Sequence, residues 1–241
     1  MRNEFEAFID DLKATHGQNL ASVILYGSAA AGDFVPNQSS YNVLIALHRI
    51  TPEDLRNSHA CVREWHRMGH PVPVYFTVSE LKNAADVFPI EFHQMEAARK
   101  VLYGDDLLAG LAISDTFLRH QTEYELRSKL IQLRRGYIPA SASVDGLKTL
   151  MAESFTTFAA LFRAVLLLHG LDPPATKREI VAMTVSRLQL DGSVFEKIIN
   201  IRRGNLAEKL DELEANTLFA DYMEQIERVI DSVDKAGDRK T

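Results

Sequence analysis

The sequence predicts an α/β domain built on a small mixed sheet, followed by an all-α helical bundle. Two observations carry that prediction. Short β-branched apolar runs separated by Pro, Gly, Asn and Ser fill residues 1–112. From residue 113 onward apolar residues recur at helical spacing, and no strand-like run returns. A chain of 241 residues accommodates two such domains, 1–112 and 113–241, and their boundary is a change of period rather than a flexible linker.

The elements follow in order. Phe5, Phe8, Ile9 and Leu12 mark the apolar face of a first helix over 3–15, ended by Gly17. "ASVILYG" (21–27) is a buried strand, "AAAG" after Ser28 a short helical turn, "DFVPNQSS" a loop, and "YNVLIAL" (41–47) a second strand. Thr51-Pro52-Glu53 supplies an N-cap and a proline at the first helical position, starting a helix that runs to Met68. "PVPVYFTV" (71–78) is a third strand, confined by its prolines to an end or an edge. "SELKNAADV" is a short helix capped by Ser79, "FPIEFHQM" a fourth strand, and "KVLYGDDLLAGL" a short strand, turn and helix. Helices of this half are expected on the outer face of the sheet.

In the second half Leu126, Leu130, Leu133 and Tyr137 form a 3.6-residue stripe, broken at "GYIPASAS". Helices over 144–169, 176–188, 193–203 and 205–234 follow, giving a bundle of four or five with a frayed tail.

Charge and composition narrow the partners. A formal charge of −6 gives no general attraction to nucleic acid or acidic membranes, and neither is expected as a partner. The most apolar run, "FAALFRAVLLLHG", is too short to span a bilayer and carries Arg163. The single cysteine, Cys61, excludes an internal disulfide framework and suits a reducing compartment. The acidic, amphipathic N-terminus lacks the apolar core of a signal peptide, so a cytoplasmic location is expected.

The sharpest chemical signal is the Gly-Ser turn. Gly27 lets the backbone turn tightly at a strand end, and Ser28 opens a helical turn whose free N–H groups suit phosphate. The dipeptide alone is weak; the succession strand, Gly-Ser, short helix, Gly32-Asp33, loop, strand is far more specific. In "LYGSAAAGDF" and "YNVLIAL" the chain resembles the nucleotidyltransferase superfamily with the DNA polymerase β-like fold, over residues 18–112. "EYELRSKLIQLRRGYI" and "FTTFAALFRAVLLLHG" are similar to the helical accessory domains of kanamycin-type and minimal nucleotidyltransferases.

The resemblance implies an Asp-x-Asp at the start of the second strand and a third carboxylate on a neighbouring strand. Together these hold two metals that bridge the triphosphate, activate a hydroxyl and stabilise pyrophosphate. Alternate strand residues share a face, which is why the two aspartates act together. Here Ser40 and Asn42 fall at those positions, and no acid stands near Val74. A hydroxyl and an amide bring no charge to offset magnesium. The expected function is therefore that of a nucleotidyltransferase-like protein without the metal carboxylates and without ordinary nucleotidyl transfer. It would bind a nucleotide, another phosphorylated small molecule, or a protein; no metal or other cofactor is assigned. One alternative is an active transferase with an altered Mg2+ site, using Asn42 with Asp33 or Glu91 to move a nucleoside monophosphate to a small-molecule or protein hydroxyl. Another is an assembly or antitoxin-like protein, a homodimer or the partner of a helical protein.

Further candidates are weighed against plainer roles. Asp33, Asp86 and Glu91 read first as caps or solvated charges, with Glu91 the one to test. Arg127, Lys129 and Arg134 join Gly27, Ser28 and Asp33 as nucleotide-binding candidates, because in the resembled family a helical domain closes over the nucleotide. They read equally as a solvated helix flank with pairs such as Glu123–Arg127. His59, His66 and His70 read as surface histidines near a helix end, since "HRMGH" lacks the glutamate of a zinc-protease motif.

Overall fold

The computed structural model describes residues 4–27, 29–32, 40–83, 87–111, 113, 117–174, 176–204 and 210–237. The chain divides into two compact units, Met1–Asp115 and Thr116–Thr241.

In the first unit, α1 (Glu4–His16) leads into β1 (Leu20–Tyr26), and β2 (Asn42–Leu47) returns beside it. Helices α2 (Pro52–Asn57) and α3 (His59–Arg67) then cross to β3 (Val74–Thr77), followed by α4 (Val78–Asn83), α5 (Pro89–Ala97) and β4 (Arg99–Gly104). The four strands form one mixed sheet in the order β3-β2-β1-β4. β1 runs antiparallel to both β2 and β4, and β2 runs parallel to β3. The outer strands are β3, preceded by Pro71 and Pro73, and β4, which opens with Arg99 and Lys100.

Helices cover both faces of this sheet, not one outer face. The near-continuous apolar runs of β1 and β2 leave neither face fit for water. Val23, Leu25, Val43 and Ile45 pack on Phe8 and Leu12 of α1 and on Cys61 and Trp65 of α3. Ile24, Leu44 and Ala46 pack on Leu81 of α4, Phe92 and Met95 of α5, and Leu108.

Two expectations for this half are corrected. "FPIEFHQM" is not a strand but the body of α5, with Pro89 in its first turn. Proline lacks the N–H a ladder needs but suits the start of a helix. The fourth strand lies further on, at β4, where Gly104 adopts φ +73° because a Cβ there would meet the Ala21 carbonyl oxygen. The helix expected to run unbroken to Met68 divides at Ser58, whose hydroxyl donates to the Asp54 carbonyl four residues back. Such back-bonding bends helices.

Among the described residues the second unit holds α6 (Leu118–Ala140), α7 (Val144–Leu168), α8 (Lys177–Leu188), α9 (Gly192–Arg202) and α10 (Glu212–Gly237). Its core is aromatic: Phe195 meets Phe162 and Tyr222 edge to face, and Tyr137 stacks on Phe219. The break falls within "GYIPASAS", between Ala140 at the end of α6 and Val144 at the start of α7, and Gly136 lets Leu150 of α7 approach closely. By length and composition α7 suffices to cross a membrane, more than its apolar run suggests; Phe155, Phe158, Phe162 and Val165 are buried within the unit.

Candidate functional site around the Gly27 turn

β1 delivers the chain to the turn through Tyr26, whose register partners are Asn42 at the start of β2 and Arg99 at the start of β4. Gly27 follows with φ +81°. Its N–H donates to the Ala98 carbonyl at 3.0 Å, and its own carbonyl accepts from the N–H groups of Ala30 and Ala31, each at 3.0 Å. The turn is therefore tied down by its own backbone, and these three N–H groups are engaged within the protein. Ser28 and Asp33 lie outside the described residues, as does Asp86.

Asn42 is the side chain nearest the turn. A Cβ placed on Gly27 would sit 3.3 Å from Asn42 Nδ2, so the amide rests against the glycine. Alternation puts Asn42 on the face of Leu44 and Ala46, toward α4 and α5. Ser40 precedes the strand and is half-buried. Val74 stands beside Leu44 in the register and brings only methyl groups. These positions offer a hydroxyl and an amide. An amide differs from a carboxylate in one decisive way: it carries two N–H donors and can face an anion.

Glu91 comes to this end of the sheet by a route other than the expected strand. It is an exposed residue in the first turn of α5. Burial raises the Tyr26 pKa, and the Glu91 charge adds to that rise. Arg99 is held by Asp106 at 2.9 Å and by the Glu96 carbonyl at 2.9 Å.

On the opposite face Tyr41 enters an aromatic group. Its ring lies 4.7 Å from Phe5 and 4.7 Å from His70, and His70 lies 4.4 Å from Trp65. Burial raises the Tyr41 pKa, as do the charge and hydrogen bond of Glu4. His70 therefore belongs to this core, while His66 Nδ1 donates to its carbonyl at 2.9 Å. The reading of His70 as a surface histidine is corrected: it is buried.

The basic candidates belong to the second unit, and the two arginines are engaged there. Arg127 pairs with Glu123 at 2.8 Å, and Arg134 pairs with Glu227 of α10 at 2.7 Å. Lys129 is half-buried on α6. Arg127 and Arg134 share a cleft of about 370 Å³ with Glu227 and Asp231, so its charges are mixed.

Comparison with solved structures places this architecture. The spectinomycin adenyltransferase AAD(9) from Enterococcus faecialis, solved with ATP and spectinomycin, superposes with a TM-score of 0.54. The match covers 93% of this chain and 98% of that one, at 13% sequence identity. The chain has the nucleotidyltransferase-like fold. No protein-family model and no curated protein matches the sequence.

Sequence reasoning missed two features: the contact of Asn42 with Gly27, and the displacement of Glu91 onto a helix. The first needs the register of β1 on β2. The second was signalled by Pro89, which already disfavoured a central strand.

Proposed function

We propose that this protein uses a nucleotidyltransferase-like scaffold to bind a nucleotide or another phosphorylated small molecule, without ordinary two-metal nucleotidyl transfer. The observation that carries this reading is Asn42 resting against Gly27. Where the resembled family places a metal carboxylate, this chain places a neutral amide whose N–H groups suit a phosphate oxygen. Ser40, Asn42 and Val74 do not fit a pair of magnesium ions, because hard divalent cations need charged oxygen ligands. No step is therefore routed through a metal.

Calorimetric titration of the full chain with ATP, GTP, CTP and UTP, each with and without magnesium, tests the reading. Binding of at least one nucleotide with an affinity that magnesium leaves unchanged is expected. Magnesium-dependent incorporation of label from a nucleoside triphosphate would refute it.

The position of Glu91 near Tyr26 favours one second reading, an active transferase with an altered acid. On that reading Glu91→Gln abolishes a measurable transfer. An unchanged rate discards it.

A further inference from the structure

A second recess lies on the first unit, away from Gly27 in sequence and built from α2, α3 and β3. It has a volume of about 610 Å³, within the range of small-molecule sites. Leu55, Val62, Val72 and Tyr75 line it with apolar surface. Leu55 and Val72 are 45% and 58% exposed, unusual for side chains of this kind packed beside one another.

Its charged groups have one sign. Arg56 and Arg63 line the recess, and neither has a carboxylate partner among the described residues. His59, Arg63 and His66 succeed one another at spacings of four and three, so they form one edge of α3 beside Val62. Among the described residues no acidic side chain lines the recess. His66 donates through Nδ1 to the His70 carbonyl, which leaves Nε2 outward.

The floor is Tyr75. Tyr75 Oη is buried on the side of Ser58, and burial pushes its pKa up to about 12 while the Ser58 hydroxyl opposes the rise. Beside it Ser58 Oγ lies 2.9 Å from His16 Nε2. Ser58 Oγ is also 3.0 Å from the Asp54 carbonyl, to which it donates when His16 Nε2 carries the proton of their contact.

We propose that this recess binds a small amphipathic anion, with an apolar body against Leu55, Val62 and Val72 and a carboxylate or comparable acidic head at Arg56 and Arg63. The reading is independent of the Gly27 turn. A concave apolar recess of this volume, edged by two unpaired arginines, fits a small anionic molecule better than a flat protein partner.

Titration calorimetry of the full chain with decanoate, decanol and decyltrimethylammonium tests this. Decanoate binds, decanol binds at least tenfold more weakly, and the cation gives no heat. In the double variant Arg56→Ala/Arg63→Ala, decanoate affinity falls at least tenfold while decanol is unchanged. Val62→Trp, which fills the recess, removes both. Circular dichroism melts confirm that each variant folds, and a variant that does not fold is replaced by Arg63→Gln or Val72→Asp. Three results would overturn the proposal: no decanoate heat, equal affinity for acid and alcohol, or decanoate binding indifferent to the variants. A dimer in light scattering that Leu55→Asp dissociates would also overturn it, assigning the surface to a second copy of the chain.

Discussion

Asn42 and His16 are the single side chains on which the sharpest tests turn. If the amide at Asn42 excludes magnesium, restoring both family residues should reverse the effect. Ser40→Asp with Asn42→Asp is expected to create magnesium binding detectable by calorimetry and absent from the parent; no gain would show that the missing third carboxylate dominates. His16 makes a pH prediction. Burial lowers its pKa from 6.5, with the Asp54 charge opposing. The unfolded chain then binds more protons than the folded one below that value, so stability rises with pH through this range. Stability is full above 6.5 and falls as pH drops toward the lowered folded pKa. His16→Gln, which keeps a donor for Ser58, should flatten the loss of melting temperature between about pH 7 and pH 5. An identical slope in parent and variant would assign that loss to other groups.

At the scale of elements, β4 carries the most constrained turn. Gly104 stands in the left-handed region, and a Cβ there would collide with the Ala21 carbonyl oxygen. Gly104→Ala is expected to cost at least about 2 kcal/mol in denaturant unfolding, from backbone strain and forced separation of β1 from β4. Ser22 adds to this joint, its buried hydroxyl donating to the carbonyls of Tyr103 and Asp105. β1 and β2 were legible because their runs are long, β-branched and free of proline. β4 was read only as a short strand, and "FPIEFHQM" took its place, because four residues of alternation mimic a strand when Phe92 and Met95 pack at helical spacing. Capping was legible too: Thr51 and Asp54 bond reciprocally, as Thr-Pro-Glu-Asp suggests.

For the whole molecule, the change from strand-like to helical period is the clearest signal, and the compact units fall at Met1–Asp115 and Thr116–Thr241. Fold survives at 13% identity because it depends on pattern and volume, whereas a site depends on named atoms. The Gly-Ser turn announced the scaffold and the Ser-x-Asn announced the departure from it. The Glu123–Arg127 pair was legible from its spacing of four, whereas Arg134 carried no such signal, since its partner Glu227 lies 93 positions away. The recess beside α3 was invisible for the same reason: His59, Arg63 and His66 are regular in sequence, but Val72 and Tyr75 join them only through the fold.

The outer strands bear on how the protein behaves when crowded or heated. An uncovered strand edge invites a second chain to add to it, the first step toward fibrillar aggregates. β3 has only Val74–Thr77, preceded by two prolines that cannot donate, and β4 begins with two cations that repel their own kind. Pro71→Val with Pro73→Val would lengthen the bare edge and should hasten turbidity at elevated temperature, with the far-ultraviolet spectrum of the soluble protein little changed. Equal turbidity would mean that the prolines serve packing alone. As built, the sheet is closed to growth by what its edges lack.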